Sequence, residues 1–201
     1  DSDEAKSIWS LFTADAMKES LDADISVQQE NMSGPNYPVG AITNFDLMNA
    51  HPRFFDFTDL FGWKVYKAKV NGFMLKTLFK VVMNFGLPLS ISGITFDWYE
   101  TPWGKYRVKN LKIKGKHIHP FRSYDLALPE GIVRGGLAIS PLVGLLLRKS
   151  ERTNIDVIDA IRWKLERDGG IGNDYLQRLD YKQAGQQLVK ADRLLFAGRT
   201  R

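Results

Sequence analysis

With 201 residues, 44% hydrophobic and 25% charged, the chain is long enough to bury one sizeable core and reads as a single domain over residues 1–201. Five tryptophans, seven tyrosines and twelve phenylalanines exclude a disordered chain, and the lack of cysteine excludes disulfides, thiol nucleophiles and cysteine-based zinc sites. Twenty-eight basic against 23 acidic residues give +5, which favours acidic small ligands but makes nucleic acid an unexpected partner unless the charge is concentrated in a stripe. The longest apolar run, 135–147, is interrupted by Ser140 and Pro141 and falls short of the roughly 18–20 residues of a membrane helix, so no membrane span is expected. The first residue is Asp1 rather than Met, which suggests a processed form or a fragment of a longer chain.

Ile8, Leu11, Phe12, Met17 and Leu21 lie at helical spacing over residues 5–21, and Asp24 to Val27 then reads as a short strand. Residues 28–40, with two prolines and two glycines, read as a loop at the end of that strand. Thr43 or Asn44 caps a short helix reaching Met48, followed by an aromatic cluster of Phe54, Phe55 and Phe57. Tyr66, Ala68 and Val70 alternate with Lys67 and Lys69 as a strand that Asn71-Gly72 turns into a helix carrying a stripe of Met74, Leu78, Val81, Val82 and Phe85. Ile91 to Phe96 reads as a strand with a bulge or a close backbone approach at Gly93.

A hairpin follows. Tyr106 and Val108 occupy one parity while Leu111 and Ile113 occupy the other, so the strand needs a bulge or bend near Asn110 to keep all four on one face. Gly115-Lys116 turns the chain, Tyr124 to Leu128 is the next strand, and Gly131, Gly135 and Gly136 mark a loop. Ser140-Pro141 opens a short helix, and Thr153-x-x-Asp156 reads as a capping box for a helix with Val157, Ile158, Ile161 and Leu165 inward, ended by Gly169-Gly170. These elements predict a mixed β-sheet packed with helices, an α+β fold whose sheet holds the strands near 65–70, 91–96, 105–114 and 124–128.

The chemical motifs are sparse. His117-x-His119 places two imidazoles on one strand face, but no cysteine or suitably spaced carboxylate joins them into a metal site. Neither a Gly-x-Ser-x-Gly elbow nor a Walker loop is present. Gly131-x-x-x-Gly135-Gly136 beside Arg134 is a weak phosphate-cradle pattern.

Taken in order, several segments resemble the C-terminal domain of the 5'-nucleotidases over about residues 5–170, leaving 171–201 as a C-terminal extension. Ala14-Asp15-Ala16-Met17 through Asp24-Ile25 is similar to the family's opening helix and strand entry. Phe61-Gly62, then Val70-Asn71-Gly72 with Leu75 and Leu78, resembles the run whose Phe stacks on the nucleoside base. Ser92-Gly93 with Phe96, Ile113 to Lys116, and Tyr124-Asp125-Leu126-Ala127 through Gly135-Gly136 resemble later signatures.

The resemblance implies a substrate-recognition domain of a metal-dependent phosphoester hydrolase acting on nucleotides or related phosphoesters, periplasmic or extracellular. Its partner would be an N-terminal metallophosphatase domain that carries the divalent metals and the catalytic residues, so that this chain holds no catalytic centre, metal or other cofactor of its own. The implied substrate-binding residues are Phe61, Gly62, Trp63, Gln29, Asn31, Gly131 and Arg134. The chain departs from the pattern at three points: the family's substrate arginine is absent from Gln29 to Gly34, its second stacking Phe is Gly131, and its Asp after the paired glycines is Leu137. Those departures keep open an alternative, a binding or interaction module that retained the fold and lost the nucleoside site.

Overall fold

A computed structural model describes residues 2–30, 40–50, 63–85, 89–103, 106–136, 149–172 and 174–175. Helix α1 (Ser2–Ser20) leads into β1 (Ile25–Gln29), and α2 (Asn44–Ala50) precedes β2 (Lys64–Asn71) and α3 (Gly72–Phe85). Strands β3 (Leu89–Ser92), β4 (Ile94–Glu100), β5 (Tyr106–Ile113), β6 (Lys116–His117) and β7 (Ser123–Pro129) follow, then β8 (Glu151–Asp156) and α4 (Val157–Asp168). The fold is α+β as expected, but the strands divide into two sheets. One has five strands in the order β3-β1-β7-β2-β8, with β1 and β7 parallel and the other pairs antiparallel; the second has three, β4-β5-β6.

The split happens at Gly93. The expected single strand over 91–96 is two strands in different sheets, because Gly93 adopts a φ of 85° and a side chain there would run into the Asp24 carbonyl. The parity switch at Asn110 is real: its φ is 51°, and the β4–β5 register shifts between Thr95 and Asp97. Val108, Leu111 and Ile113 consequently pack on one core despite their mixed parity.

Each face of the five-stranded sheet covers its own core. On one side Ala68, Val70, Leu126 and Leu128 meet α3 and the inner face of the second sheet. On the other, Val65 and Ala127 meet Trp9, Phe12 and Met17 of α1 and Val157 and Ile161 of α4. Helix α3 buries Leu75, Leu78 and Phe79 with Met74 and Val82 at the margin, so its inward stripe is turned toward Leu75 and Phe79 relative to the spacing read from sequence, and Val81 is only half-buried. At roughly 1.5–3 kcal/mol per buried side chain, those three contribute most of the helix's hold on the sheet. The strand passes into α3 with no intervening turn, and Asn71 Oδ1 caps it by accepting from Met74 N at 2.8 Å.

Thr43 caps α2 as expected: its Oγ1 accepts from Asp46 N at 3.3 Å while Asp46 Oδ2 accepts from Thr43 N at 2.7 Å. The capping box expected at Thr153 is instead part of β8, where Thr153 Oγ1 donates to the Val65 carbonyl at 2.6 Å, and α4 starts after Asp156 with no side-chain cap. In α4 the buried residues are Val157, Ala160, Ile161 and Lys164, with Ile158 and Leu165 half-buried. Lys164 joins α4 to α1, donating to both Glu19 oxygens at 3.1 and 2.9 Å and to Asp168 at 2.8 Å. The Phe54–Phe57 cluster and the helix expected at Ser140-Pro141 lie outside the described residues.

Asp24 ties the two sheets together. It exchanges hydrogen bonds with β7, its backbone N donating to Asp125 O at 2.9 Å and its side-chain Oδ2 accepting from Asp125 N at 3.1 Å, while Oδ1 pairs with Lys114 Nζ at 2.9 Å in the β5–β6 turn. Burial pushes the Asp24 carboxyl up, but the Lys114 and Asp125 hydrogen bonds and the Lys114 and Arg122 charges outweigh it and hold it below the ordinary aspartate value. A depressed folded-state value means stability that is present above the unfolded value, about 3.9, and is lost as pH falls through the folded value. Asp24→Asn is therefore expected to cost about 1–2 kcal/mol in chemical unfolding at pH 7. The gap to wild type should narrow as pH drops below about 4; a gap constant from pH 7 to pH 3 would show that the charge contributes nothing.

Candidate functional site

Because β1 and β7 run parallel and β2 runs antiparallel to β7, the last residues of β1 and β7 and the residue entering β2 meet at one edge of the sheet. Gln29 closes β1. Trp63 immediately precedes β2, and Gly131 and Arg134 follow β7. Four of the residues singled out from sequence thus converge, whereas Phe61, Gly62 and Asn31 lie outside the described residues.

The closest contact forms where the ladder stops. Val65 sits opposite Pro129, where the ladder ends, and the helical turn that begins at Glu130 brings Gly131 against Trp63. A Cβ on Gly131 would lie 2.5–2.8 Å from three atoms of the Trp63 ring, which means the half-buried indole occupies the space a side chain at 131 would take. The indole is fixed from behind: Trp63 O accepts from Val157 N, the first amide of α4, at 2.8 Å. The glycine segment read as a loop is wound instead, residues Ile132–Gly136 forming a π-helical turn. A wound turn of that kind turns its amides along its own axis rather than into an open phosphate cradle.

Two buried carboxylates, both missed from sequence, dominate the polar character of this edge. Glu30 follows β1 and Glu130 follows β7, 1% and 2% exposed respectively. Glu130 Oε2 accepts from Lys64 N at 2.9 Å, and its Oε1 is 2.6 Å from Arg134 Nη2. Lys64 Nζ is paired with Asp156 Oδ2 at 2.8 Å. Gln28, fully buried, has neither amide atom hydrogen-bonded, and Gln29 Oε1 is also without a partner among the described residues. The signal available for Glu30 was parity: Ser26, Gln28 and Glu30 share one strand face, and reading a loop from residue 28 onward hid it.

Lys64 and Arg134 are both already paired, with Asp156 and Glu130. Arg134 thus neutralises a carboxylate rather than waiting for phosphate. With Glu30 and Glu130 buried, what this edge offers a ligand is the half-buried Trp63 indole, an apolar face for a flat ring.

The histidine pair forms no comparable site. Only His117 lies in β6; His119 follows in the turn, where its Nδ1 accepts from Phe121 N at 3.4 Å, and both are exposed. Among the described residues no group of three or more histidines or carboxylates could hold a metal ion, and no helix is long and apolar enough to cross a membrane.

The family model described as "5'-nucleotidase, C-terminal domain" matches residues 5–142. The chain belongs to the 5'-nucleotidase C-terminal domain family. Solved structures share the fold of this C-terminal domain. The NAD nucleotidase of Haemophilus influenzae is 18% identical with a TM-score of 0.62, over 89% of this chain and 32% of that one. The 5'-nucleotidase precursor of Thermus thermophilus is 16% identical with a TM-score of 0.59, over 82% and 33%. A putative 5'-nucleotidase of Staphylococcus aureus is 15% identical with a TM-score of 0.56, over 78% and 33%. The chain therefore spans about a third of each of these structures. Comparison with curated protein sequences finds no match.

The contact between Trp63 and Gly131 is testable by a double-mutant cycle. Gly131→Ala forces the indole aside and is expected to cost about 1–3 kcal/mol in the wild-type background, but well under 1 kcal/mol once Trp63→Leu has removed the ring. Equal costs in both backgrounds would mean that the ring is not what excludes a side chain at 131.

Proposed function

We propose that this C-terminal domain recognises the nucleoside part of a nucleotide or related phosphoester, in a longer exported hydrolase whose N-terminal metallophosphatase domain supplies the divalent metals and the attacking water. The observation that carries the reading is the Trp63 ring held over Gly131 beside buried Glu30 and Glu130. By the resemblance, position 131 is where a second aromatic ring would flank the base, and the indole reaches the same space from the opposing strand. Phe61 and Gly62, two residues upstream of Trp63, would supply the other face of the slot, and Gln29 and Asn31 would reach the ligand's polar edge.

The charge at this edge supports the division of labour. A phosphate brought to this edge finds Lys64 and Arg134 already paired with Asp156 and Glu130 and gains little from the described residues. The phosphate end is better satisfied by the metals of the proposed partner domain, while this domain orients the base and sugar. The alternative of a module that has lost nucleoside recognition gains nothing further from the geometry, since on this reading the Trp63 ring packed against Gly131 would stand in for the ring absent there.

Binding is expected to be weak in the chain by itself. One or two stacking contacts at about 1–3 kcal/mol each give an adenosine dissociation constant near the millimolar range. Titration with adenosine, followed by amide and indole NMR shifts, should perturb Trp63 and Gly131, and Phe61→Ala should abolish the response while the protein stays folded. Absence of shifts at near-saturating adenosine, or unfolding of Phe61→Ala, would defeat the proposal.

The sequence contains no Asp-x-His or Asn-His-Asp/Glu cluster. The chain alone is therefore expected to show no nucleotidase turnover with added divalent metals. A metal-dependent rate that survives repurification and disappears in His117→Ala would contradict this.

A further inference from the structure

The end of the first sheet remote from Trp63 and Gly131 carries an exposed aromatic corner. Strand β2 runs from Lys64 to Asn71 and hands the chain straight to α3, and β7 begins beside that junction at Ser123. Phe73, in the first turn of α3, is 69% exposed, and Phe121, in the turn before β7, is 87% exposed. The eight residues of β2, at about 3.3 Å each, put this corner about 25 Å from the strand-end edge.

Both rings stand on a braced backbone. Gly72 N donates to Arg122 O and Phe73 N donates to Pro120 O, each at 3.0 Å, so free amides of the first turn of α3 are spent on the turn before β7. Within that turn Arg122 N donates to His119 O at 3.2 Å, and the Tyr124 hydroxyl accepts from His119 N at 2.9 Å. A Cβ on Gly72 would lie 2.2 Å from the His119 carbonyl oxygen, so only glycine lets the two segments meet backbone to backbone. Phe73 and Phe121 are thus displayed from adjoining positions, and large apolar groups kept in water on a rigid support mark a contact surface.

The elements that carry the corner are cationic. No Asp or Glu occurs in residues 60–96 or 101–124, which contain β2, α3, the hairpin strands β5 and β6, and the turn. Lys76 lies three residues beyond Phe73 on α3, Lys69 lies two residues before the end of β2, and Arg122 follows Phe121; all three are exposed. Lys69 and Lys76 make no ion pair or hydrogen bond among the described residues, and the Arg122 guanidinium lies 5.6 Å from the Tyr124 ring centroid. Of the carboxylates flanking the starts of β1 and β7, Asp24 pairs with Lys114 at 2.9 Å and Asp125 with Lys67 at 2.8 Å, while Asp22, exposed in the α1–β1 turn, adjoins Lys114. On the α1–α4 side Glu19 and Asp168 are taken by Lys164 and Arg167.

We propose that this corner docks on the surface of an anionic phospholipid bilayer, with Phe73 and Phe121 entering the headgroup region and Lys69, Lys76 and Arg122 meeting lipid phosphates. Aromatic rings gain by leaving water at the membrane boundary, and basic side chains around them add attraction to acidic lipids. Two separate rings with charge of one sign about them suit a broad anionic surface. Attachment through two rings and three cations is reversible, far from the permanence of a membrane span. Docked in this way, the domain holds the strand-end edge at the far end of β2 and β7 from the lipid. None of the residues involved belongs to that edge, so the proposal stands independently of nucleoside recognition there.

The test is co-sedimentation of the 201-residue chain with lipid vesicles. Vesicles of mixed phosphatidylglycerol and phosphatidylcholine are expected to bind the chain at least about tenfold more tightly than phosphatidylcholine alone, and binding should weaken between about 0.05 M and about 0.5 M salt. Phe73→Ser with Phe121→Ser should weaken it at least about tenfold, whereas Phe45→Ser, which removes a 71% exposed ring from α2, should not. Equal thermal midpoints will show that the variants are folded. Independently of any variant, bicelles of the anionic mixture carrying a spin-labelled lipid should broaden the amides of Phe73, Phe121 and Arg122 and spare those of Trp63, Val65 and Gly131. No co-sedimentation, equal binding to neutral vesicles, a double variant that binds like wild type, or broadening centred on Trp63 and Gly131 would each overturn the proposal. Lipid-free self-association that the double variant abolishes would overturn it as well, assigning the corner to a second copy of the chain.

Discussion

The arrangement of the molecule depends on the corner where Asp24 meets Gly93. There the first sheet ends its β3 strand and the second sheet begins with β4, and only a residue without a side chain can pass the Asp24 carbonyl at a φ of 85°. The same aspartate bonds to Asp125 of β7 and to Lys114 of the β5–β6 turn, so one side chain is anchored in the first sheet and grips the second. Once that angle is set, α3 is enclosed between the five-stranded sheet and the inner face of the hairpin, where Phe79 meets Phe96 edge-on with centroids 5.3 Å apart. The corner of Phe73 and Phe121 lies where α3 meets the turn that follows the hairpin, at the opposite end of β2 and β7 from the strand-end edge.

Much of the architecture was legible as periodicity. The change of parity at Asn110 announced a bulge, since four apolar residues on one strand can share a face only if the backbone slips once between them, and the positive φ of Asn110 is that slip. What could not be read was which sheet a strand joins. Ile91 and Phe96 lie at opposite parity with Gly93 between them, and nothing local distinguishes a bulged strand from two strands divided between sheets, because the deciding contact is with Asp24, some 70 residues away in sequence. Thr153 failed for a related reason: its hydroxyl has the spacing of a cap, but the Val65 carbonyl in the neighbouring strand outcompetes the helix for it. At the candidate site, the resemblance places a ring where this sequence has Gly131, whereas the packing of Trp63 against that glycine is set by the fold.

A modest net charge of +5 conceals a strong segregation. At the strand-end edge Lys64 and Arg134 are held by Asp156 and Glu130, and Glu30 is added to them. Along α1 and α4 the cations are likewise consumed: Arg167 and Lys164 share Glu19 and Asp168, and the Arg167 and Lys164 hydrogen bonds hold the Asp168 carboxyl down to about 2. At the far end of β2 the nearest carboxylates, Asp24 and Asp125, are themselves paired with Lys114 and Lys67, and Lys69 and Lys76 are left over. Composition alone could only say that acidic ligands were favoured; the fold decides on which face.

The contact of Trp63 with Gly131 also shows how a ring and a glycine can constrain each other at a strand end. Residues opposite one another in an antiparallel pair have their Cβ atoms on the same side of the sheet and within about 5 Å, so a side chain lost from one strand leaves a space its partner can reach without moving either backbone. Trp63 and Gly131 meet just past the last ladder pair, Val65 and Pro129, and the Trp63 carbonyl is pinned by Val157 N while Lys64 N holds Glu130. The pair constrains both members: a ring at 63 demands glycine at 131, and glycine at 131 leaves a gap unless a ring fills it. For this reason the glycine at 131 is accounted for only together with Trp63, whose ring fills the space a side chain there would take.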